Sequence, residues 1–199
     1  MNVERMIAAA SLAVGVVVGG IVVAANDAKQ PTQEEMMAAW QKIATPGPDH
    51  KVLENYVGHW SAKVTMQMDP SQPAEVNDGT SDGELVLGGR FVQVVHHGTA
   101  MGMPFEGRMT LGYDNLSKKY VSSWVDNMGT GIYHYEGKYD AATKELRMEA
   151  SFLDPMSGKP THSRAVTKFV DAGTMTYDEW FPGPTGKEVH GLSITFKKS

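Results

Sequence analysis

The sequence of 199 residues contains no cysteine. This absence excludes disulfides, thiolate nucleophiles, iron–sulfur clusters and cysteine zinc sites, because each of them needs the sulfur atom. It also excludes a lipid anchor of the kind that is attached to a cysteine. Two motifs are missing as well. No G-x-S-x-G occurs, so no hydrolase nucleophile elbow is predicted, and the glycines of Leu87–Arg90 lack the following helix that a phosphate-binding loop requires.

Concentrated positive charge is also lacking. The chain has 23 acidic and 18 basic residues, a formal net charge of −5, and no block rich in lysine and arginine. Because phosphate binding depends on clustered positive charge, nucleic acid is not an expected partner. The apolar content of 41% is sufficient for the core of one domain.

The N-terminal segment is the one long stretch without charge. Residues 6–25 read MIAAASLAVGVVVGGIVVAA, and as a helix they would reach about 30 Å, the thickness of a membrane's hydrocarbon core. The small residues Val23-Ala24-Ala25 equally fit a signal-peptide cleavage site. We therefore interpret 1–25 as a signal peptide or an N-terminal membrane anchor. Either predicts an exported chain: periplasmic, secreted, or anchored to the inner membrane through residues 6–25.

Two short helices are predicted between this segment and the rest of the chain. Residues 26–47 form a tether with one helix, which begins with the capping-box spacing of Thr32 and Glu35 and ends at TPGP, 45–48. A second helix is expected over 49–57. It either binds a partner or plugs the end of a barrel. The folded domain is predicted to occupy 48–199.

From His59 the hydrophobic period changes from about 3.6 to 2. Candidate strands lie near 59–68, 79–87, 90–98, 105–113, 118–126, 130–139, 144–152, 161–170, 174–181 and 188–197. YDNLSK and YDAATK share a turn pattern in which the aspartate can accept a hydrogen bond from the backbone two residues on. Without long helices between strands the sheet is antiparallel. The predicted fold is all-β: an up-and-down, calycin- or lipocalin-like barrel of about 9–10 strands, preceded by one or two short helices and the N-terminal apolar segment.

Polar residues share the predicted inner faces with apolar ones. The strand at 144–152 alternates cleanly, but Tyr120, Ser122, Trp124 and Asp126 share one face of their strand. Buried hydroxyls and carboxylates each need a partner, which a solid core rarely supplies. This pattern favours a wet or ligand-filled barrel, and the alternative is a set of satisfied structural polar groups or outward faces.

Several segments carry a family resemblance. GPDHKVLENYVGHW, MDPSQP, LGGRFV, MGMPFEG, LGYDNLSKKYVSSWVD, GTGIYHYEGKYD and DPMSGKP occur in this order between about Gly47 and Lys198. Together they resemble the bacterial domain-of-unknown-function family numbered 1579. The resemblance implies a calycin-like β-barrel and brings no established activity. Gly58-His59-Trp60 is also similar to the lipocalin G-x-W, which implies a tryptophan at the barrel floor under a basic side chain; Arg164 or Lys197 could supply it.

The seven histidines do not indicate a metal site. His96 and His97 are adjacent and point to opposite faces of a strand, while His134, His162 and His190 lie on different strands. We predict no metal and no cofactor, with haem held by a histidine such as His190 as the alternative. Asp178 and Glu179 are neighbours on a predicted strand and point apart, so they form no acid/base dyad, and no catalytic residue is assigned.

The apolar stretch MGMPFEG, 101–107, lies between two predicted strands where a polar loop is usual. Methionine suits adaptable apolar contacts, so we interpret Met101–Phe105 as a loop at the barrel rim that gates a cavity, or alternatively as a plug. The candidate ligand-binding residues are Met101, Met103, Phe105, Glu106, Trp124, Asp126 and Met128.

Three functions remain open for the chain. The first is an exported carrier or sensor for a small apolar or amphiphilic molecule. The second is an isomerase or lyase in the same cavity, with Asp126 or Glu106 as the base and Trp124 as a wall. The third is a cell-envelope interaction module with a solid barrel. An enzyme requires a carboxylate inside the pocket, whereas a carrier requires only volume.

Overall fold

The computed structural model describes residues 30–67, 69, 71–154, 157–183 and 187–199. The predicted signal peptide or anchor, 1–25, lies outside these residues. The chain divides into two units, residues 1–39 and residues 40–199. Among the described residues, no helix is both long and apolar enough to span a bilayer.

Helix α1 spans Gln33–Ala44. Its predicted capping box is confirmed: the Thr32 amide donates to Glu35 Oε2 at 2.7 Å, and the Glu35 amide donates to Thr32 Oγ1 at 3.2 Å. The helix ends directly before Thr45-Pro46, since the residue preceding a proline is disfavoured in helical conformation.

The described residues of the second unit form ten antiparallel strands in a closed barrel, and the first strand pairs with the last. The strands are β1 Gly58–Met66, β2 Glu75–Val86, β3 Phe91–Ala100, β4 Met103–Asp114, β5 Lys119–Asp126, β6 Tyr133–Asp140, β7 Glu145–Leu153, β8 Pro160–Asp171, β9 Thr174–Pro182 and β10 Glu188–Lys198. Each predicted segment overlaps one of them. The predicted all-β, up-and-down barrel is confirmed.

Side chains alternate between the interior and the outer surface as predicted. On β7, Leu146, Met148 and Ala150 are buried and the residues between them are exposed. On β5, Tyr120 and Ser122 are buried, whereas Val121 opposite them is exposed. The mixed polar and apolar face of β5 therefore does point inward.

The two predicted aspartate turns close the hairpins at one end of the barrel. Asp114 Oδ1 accepts a hydrogen bond from the Leu116 amide at 2.9 Å, and Asp140 Oδ1 accepts one from the Ala142 amide at 2.8 Å. Each bond joins the carboxylate to the backbone two residues on, which is the geometry that favours tight turns.

The same end of the barrel is plugged by a 3-10 helix, Pro48–Tyr56. Its Val52, Leu53 and Tyr56 are buried within the barrel core, which is the plug predicted as one interpretation of this segment. Gly83 on β2 lets the helix approach, because a Cβ there would overlap the Tyr56 carbonyl.

Trp60 lies at this closed end with 2% of its surface exposed, and its Nε1 donates to the Tyr56 carbonyl at 3.2 Å. A basic side chain does cover it, but neither predicted candidate is the right one. Lys198 Nζ lies 5.2 Å from the ring centroid, because Lys198 pairs with Trp60 across β1 and β10 and shares its face.

The two predicted partners of Trp60 lie elsewhere. Lys197 has the opposite parity on β10, and its Nζ donates to Thr174 Oγ1 at 2.8 Å. Arg164 stacks over Trp180, with its guanidinium carbon 3.8 Å from the ring centroid.

The predicted loop Met101–Phe105 is wrong in its extent. Only Met101 and Gly102 form the turn, and β4 already begins at Met103. Both turn residues have positive φ, 51° and 73°, which is the conformation of a two-residue type I′ hairpin turn. Two residues suffice because this turn matches the twist of the strands, so Phe105 is a strand residue rather than part of a lid.

Replacing Trp60 by alanine should lower the free energy of unfolding by roughly 3–5 kcal/mol, because a large buried ring leaves a cavity between the plug and the barrel. Urea denaturation of residues 40–199 or of the whole chain measures the loss. Trp40→Ala is the matched control, since Trp40 is 54% exposed. Equal unfolding free energies for the two variants would contradict the role assigned to Trp60.

Candidate functional site: the barrel cavity

The interior of the barrel holds a cavity of about 360 Å³ between the plug and the opposite end. Its volume lies near the lower end of the range for small-molecule pockets, about 300–1,000 Å³. Most of its wall is apolar. The apolar wall includes Val64, Met66, Met109, Leu111, Leu146, Met148, Met175, Leu192, Ile194 and Phe196.

Five of the seven candidate ligand-binding residues line this cavity: Met101, Phe105, Trp124, Asp126 and Met128. The other two do not. Met103 is half exposed at the rim. Glu106 points to the outer surface, where Arg108 Nη2 lies 2.8 Å from its Oε1, and this hydrogen bond and charge lower the pKa of Glu106. An outward, ion-paired carboxylate is not a base for chemistry inside the barrel.

Trp124 forms the cavity wall near the open end. Its Nε1 donates to Asp126 Oδ2 at 2.7 Å, and the other oxygen of Asp126 accepts from the Met128 amide at 2.9 Å. Its six-membered ring covers Gly107 on β4, where a Cβ would overlap it. The ring is therefore held in one orientation by a hydrogen bond on one edge and by a glycine beneath it.

Phe105 stacks beside Trp124, with ring centroids 6.2 Å apart and planes 20° apart. The strand that carries Phe105 is tied to the next hairpin by Asn127. The Asn127 side chain donates to the Pro104 carbonyl at 2.9 Å and accepts from the Glu106 amide at 3.1 Å. The sequence argument missed Asn127, although an asparagine after a strand-ending aspartate is a common turn signal.

His96 lies on the β3 wall, with its ring 5.4 Å from that of Trp124 and 5.9 Å from that of Phe196. Its Nδ1 is 2.8 Å from the hydroxyl of the buried Ser81. Desolvation inside the barrel, with a smaller contribution from the nearby charge of His97, lowers the pKa of His96 to about 4. The imidazole of His96 is therefore neutral at neutral pH. The adjacent His97 points to the opposite face of β3 and is exposed.

A buried carboxylate occupies the opposite wall. Glu179 on β9 is only 4% exposed. Its Oε1 accepts from Tyr135 at 3.0 Å and Ser163 at 2.7 Å, and its Oε2 accepts from Tyr177 at 2.7 Å. We call Glu179, Tyr135, Tyr177 and Ser163 the Glu179 cluster.

Small residues give the Glu179 cluster its space. Ala150 pairs with both Tyr135 and Ser163, and Ala165 pairs with Glu179. With only methyl groups on these intervening positions, the Tyr135 hydroxyl can cross from β6 to β9. Burial and the charge of Glu179 raise the pKa of Tyr135 and of Tyr177, so both phenols stay protonated and able to donate.

The sequence argument did not select Glu179. It did recognise that Asp178 and Glu179 point apart, and the structure confirms this: Asp178 faces outward and pairs with His190 at 2.8 Å. The alternation of side chains along the strand could have identified Glu179, because it lies on the same face as Met175 and Tyr177. A carboxylate in phase with core residues must be buried with donors or face a cavity.

The histidine considered for haem does not reach the cavity. His190 lies on the outer surface, where its ring stacks on that of Trp180 with centroids 4.7 Å apart. Within the described ranges of the chain, no group of three or more histidine and carboxylate side chains is placed to hold a metal ion.

Comparison with known proteins agrees with this architecture. The family model described as "Protein of unknown function (DUF1579)" matches residues 45–198. A search of curated proteins gave no match. The crystal structure of Rv2717c from M. tuberculosis is similar, with 13% identity, a TM-score of 0.59, and coverage of 78% of this chain and 99% of that one.

A second similar structure is the S-type phycobiliprotein lyase CPES from Guillardia theta. It shares 10% identity with a TM-score of 0.51, and the match covers 77% of this chain and 98% of that chain. At these identities both similarities show the fold alone.

Protonation of His96 should make stability depend on pH. Because its pKa is about 4 in the folded barrel and 6.5 as a reference, the unfolded chain binds a proton first as the pH falls. The free energy of unfolding should therefore decrease between about pH 6.5 and about pH 4, by roughly 3 kcal/mol at most. Below that window the His96 contribution is constant.

Urea denaturation across this pH range tests the assignment. The difference between the wild-type protein and His96→Gln isolates the histidine from the titrating carboxylates. His97→Gln is the control, because its exposed side chain should leave the wild-type slope in place. A His96→Gln profile parallel to that of the wild type would refute it.

Proposed function

Because the chain belongs to the DUF1579 family of proteins of unknown function, we propose from its own cavity that it binds a small hydrophobic or amphiphilic molecule inside the barrel. One observation carries the proposal: about 360 Å³ inside the barrel remains unfilled by side chains, and its wall is mostly apolar. Apolar pockets with a few placed polar groups are the usual form of small-molecule sites.

The open end supplies further support. Met101 and Ile132, in the turns at this end, are 65% and 61% exposed, and Leu153 at the end of β7 is 65% exposed. These side chains add exposed apolar surface at the open end, which favours contact with an apolar molecule over a sugar or an ion. Methionine adds adaptability, because its side chain is unbranched and polarisable.

The two alternatives have less support. A module that acts only through its outer surface has no need of an unfilled interior. The isomerase or lyase predicted from the sequence takes Glu106 or Asp126 as its base, but Glu106 lies outside the cavity and both oxygens of Asp126 already accept hydrogen bonds near the rim. Glu179, the carboxylate that does border the cavity, already accepts three hydrogen bonds from the protein. The name of the similar Guillardia theta protein, a phycobiliprotein lyase, is compatible with a barrel that handles a small molecule and does not assign lyase chemistry here.

An environment-sensitive apolar dye should bind protein that has been refolded free of cellular lipid, with micromolar affinity, and should change the emission of Trp124. Phe105→Asp should weaken binding by about ten-fold or more, since it places a charge in the cavity wall. Met103→Asp is the matched control, because Met103 lies two residues away on β4 and does not line the cavity.

Both variants are compared by dye titration and thermal melting. Equal dye affinity in the two variants, or no dye binding by well-folded wild-type protein, would refute the proposed cavity site. Loss of the emission change in Trp124→Phe would place the reporter at the cavity.

We also propose that the chain is exported, on the strength of the charge-free residues 6–25. A fusion of residues 1–30 to a reporter that needs disulfides to fold should be active in a bacterial host, since disulfides form outside the cytosol. Mass spectrometry of the product distinguishes a cleaved signal from a retained anchor. An inactive fusion, with a standard signal peptide as the positive control, would contradict export.

A further inference from the structure

We infer that the Glu179 cluster is the head-group site of the cavity, and that the ligand is a cationic amphiphile: an apolar body carrying a protonated amine. This inference rests on the proposed function and specifies its ligand class. It is carried by the placement of Glu179, by the donors around it and by the charge balance of the cavity.

Among the described residues, the Glu179 carboxylate has no cationic partner. No salt bridge to it is present among the described residues, and its three hydrogen-bond partners are all neutral hydroxyls. Burying a carboxylate is expensive unless a cation or several donors compensate. Three donors make the buried carboxylate tolerable, but they leave its negative charge in place.

The hydrogen-bonding capacity of Glu179 is not exhausted. A carboxylate offers about four acceptor positions. Oε1 has two donors, from Tyr135 and Ser163, whereas Oε2 has one, from Tyr177. Glu179 and both tyrosines border the cavity. A donor on a ligand can therefore complete the set at Oε2 without displacing a protein partner.

The other ionisable side chains that point into the cavity do not supply a positive charge to balance Glu179. The described lining residues with inward parity include two carboxylates, Asp126 and Glu179, and neither lysine nor arginine. Asp78 also borders the cavity, but its side chain is exposed on the outward parity of β2. His96 does not offset the two carboxylates, because burial keeps its imidazole neutral at neutral pH. His97 also borders the cavity, but it has the opposite parity on β3 and its side chain is exposed. Negative groups in a concave, low-dielectric site concentrate a field that attracts cations and repels anions. A fatty-acid carboxylate is therefore disfavoured here, and an amine is favoured.

The apolar wall completes the match. Met148 and Leu192 lie on strands that flank the Glu179 cluster, and the wall extends from there to Met66 and Ile194. An ammonium head at Glu179 would thus leave an alkyl body in contact with aliphatic side chains, where burial of its apolar surface favours binding.

Three probes of equal chain length separate the head group from the tail: octylamine, octanol and octanoate. Each is titrated at neutral pH against the full chain refolded free of lipid, by calorimetry and by displacement of the apolar dye. Octylamine, which is protonated at this pH, should bind about ten-fold or more tightly than octanol, and octanoate most weakly.

Glu179→Gln keeps the size of the side chain and removes its charge, so it should abolish the preference for octylamine over octanol. Asp178→Asn is the matched control: it lies on the same strand, faces outward, and should preserve the preference. Thermal melts accompany each variant.

The outcomes distinguish this inference from the proposed function. Equal binding of the three probes to the wild type, or tightest binding of octanoate, would overturn the cationic head-group site while leaving the cavity site intact. A preference that survives in folded Glu179→Gln would overturn it too. If this variant does not fold, the ranking on the wild type alone decides. Failure of both dye and probes to bind would overturn the proposed function and the inference together.

Discussion

Closing ten strands edge to edge creates an interior that is wider than inward side chains can fill. In smaller barrels of about eight strands the side chains meet across the axis. Here the pairing of β1 with β10 completes a ring of ten, and about 360 Å³ stays open. The plug, the polar groups on the inner wall and the apolar entrance all depend on this surplus volume.

The two ends of the barrel differ in how they are closed. At one end the 3-10 helix contributes Leu53 and Tyr56 to the core, and the Tyr120 hydroxyl donates to the Asp49 carbonyl at 2.8 Å, which ties the plug to β5. At the other end, hairpins such as Met101-Gly102 leave the interior accessible. The asymmetry places the plug at the closed end, and the cavity extends from Tyr56 of the plug to the turns at the open end.

Two groups of polar side chains lie on opposite walls of the barrel, in addition to Asp126 near the rim. His96 with Ser81 lies on the β2–β3 side, and the Glu179 cluster lies on the β6–β9 side. Each of these polar side chains has a partner at hydrogen-bonding distance, which offsets the free-energy cost of burying it. The cavity is thus apolar over most of its wall and carries polar groups at a few places, a combination that suits one ligand orientation.

Much of this could be predicted from alternation in the sequence. The period of two located all ten strands, and parity correctly placed Trp124 and Asp126 on the inner face and the pair Asp178-Glu179 on opposite faces. The turn aspartates 114 and 140 followed from local chemistry. These features depend on residues a few positions apart, so they can be predicted without knowing which strands pair.

Register and closure were decided by the tertiary structure. Lys198 covers Trp60 because the last strand pairs with the first, and Tyr135 reaches Glu179 across two strands over alanines, 44 positions away in sequence. Neither contact leaves a periodic signal. The sequence by itself determined the strands, their faces and their turns, whereas only the closed barrel decided which inward residues meet, because that depends on the register of strand pairs that are distant in the chain.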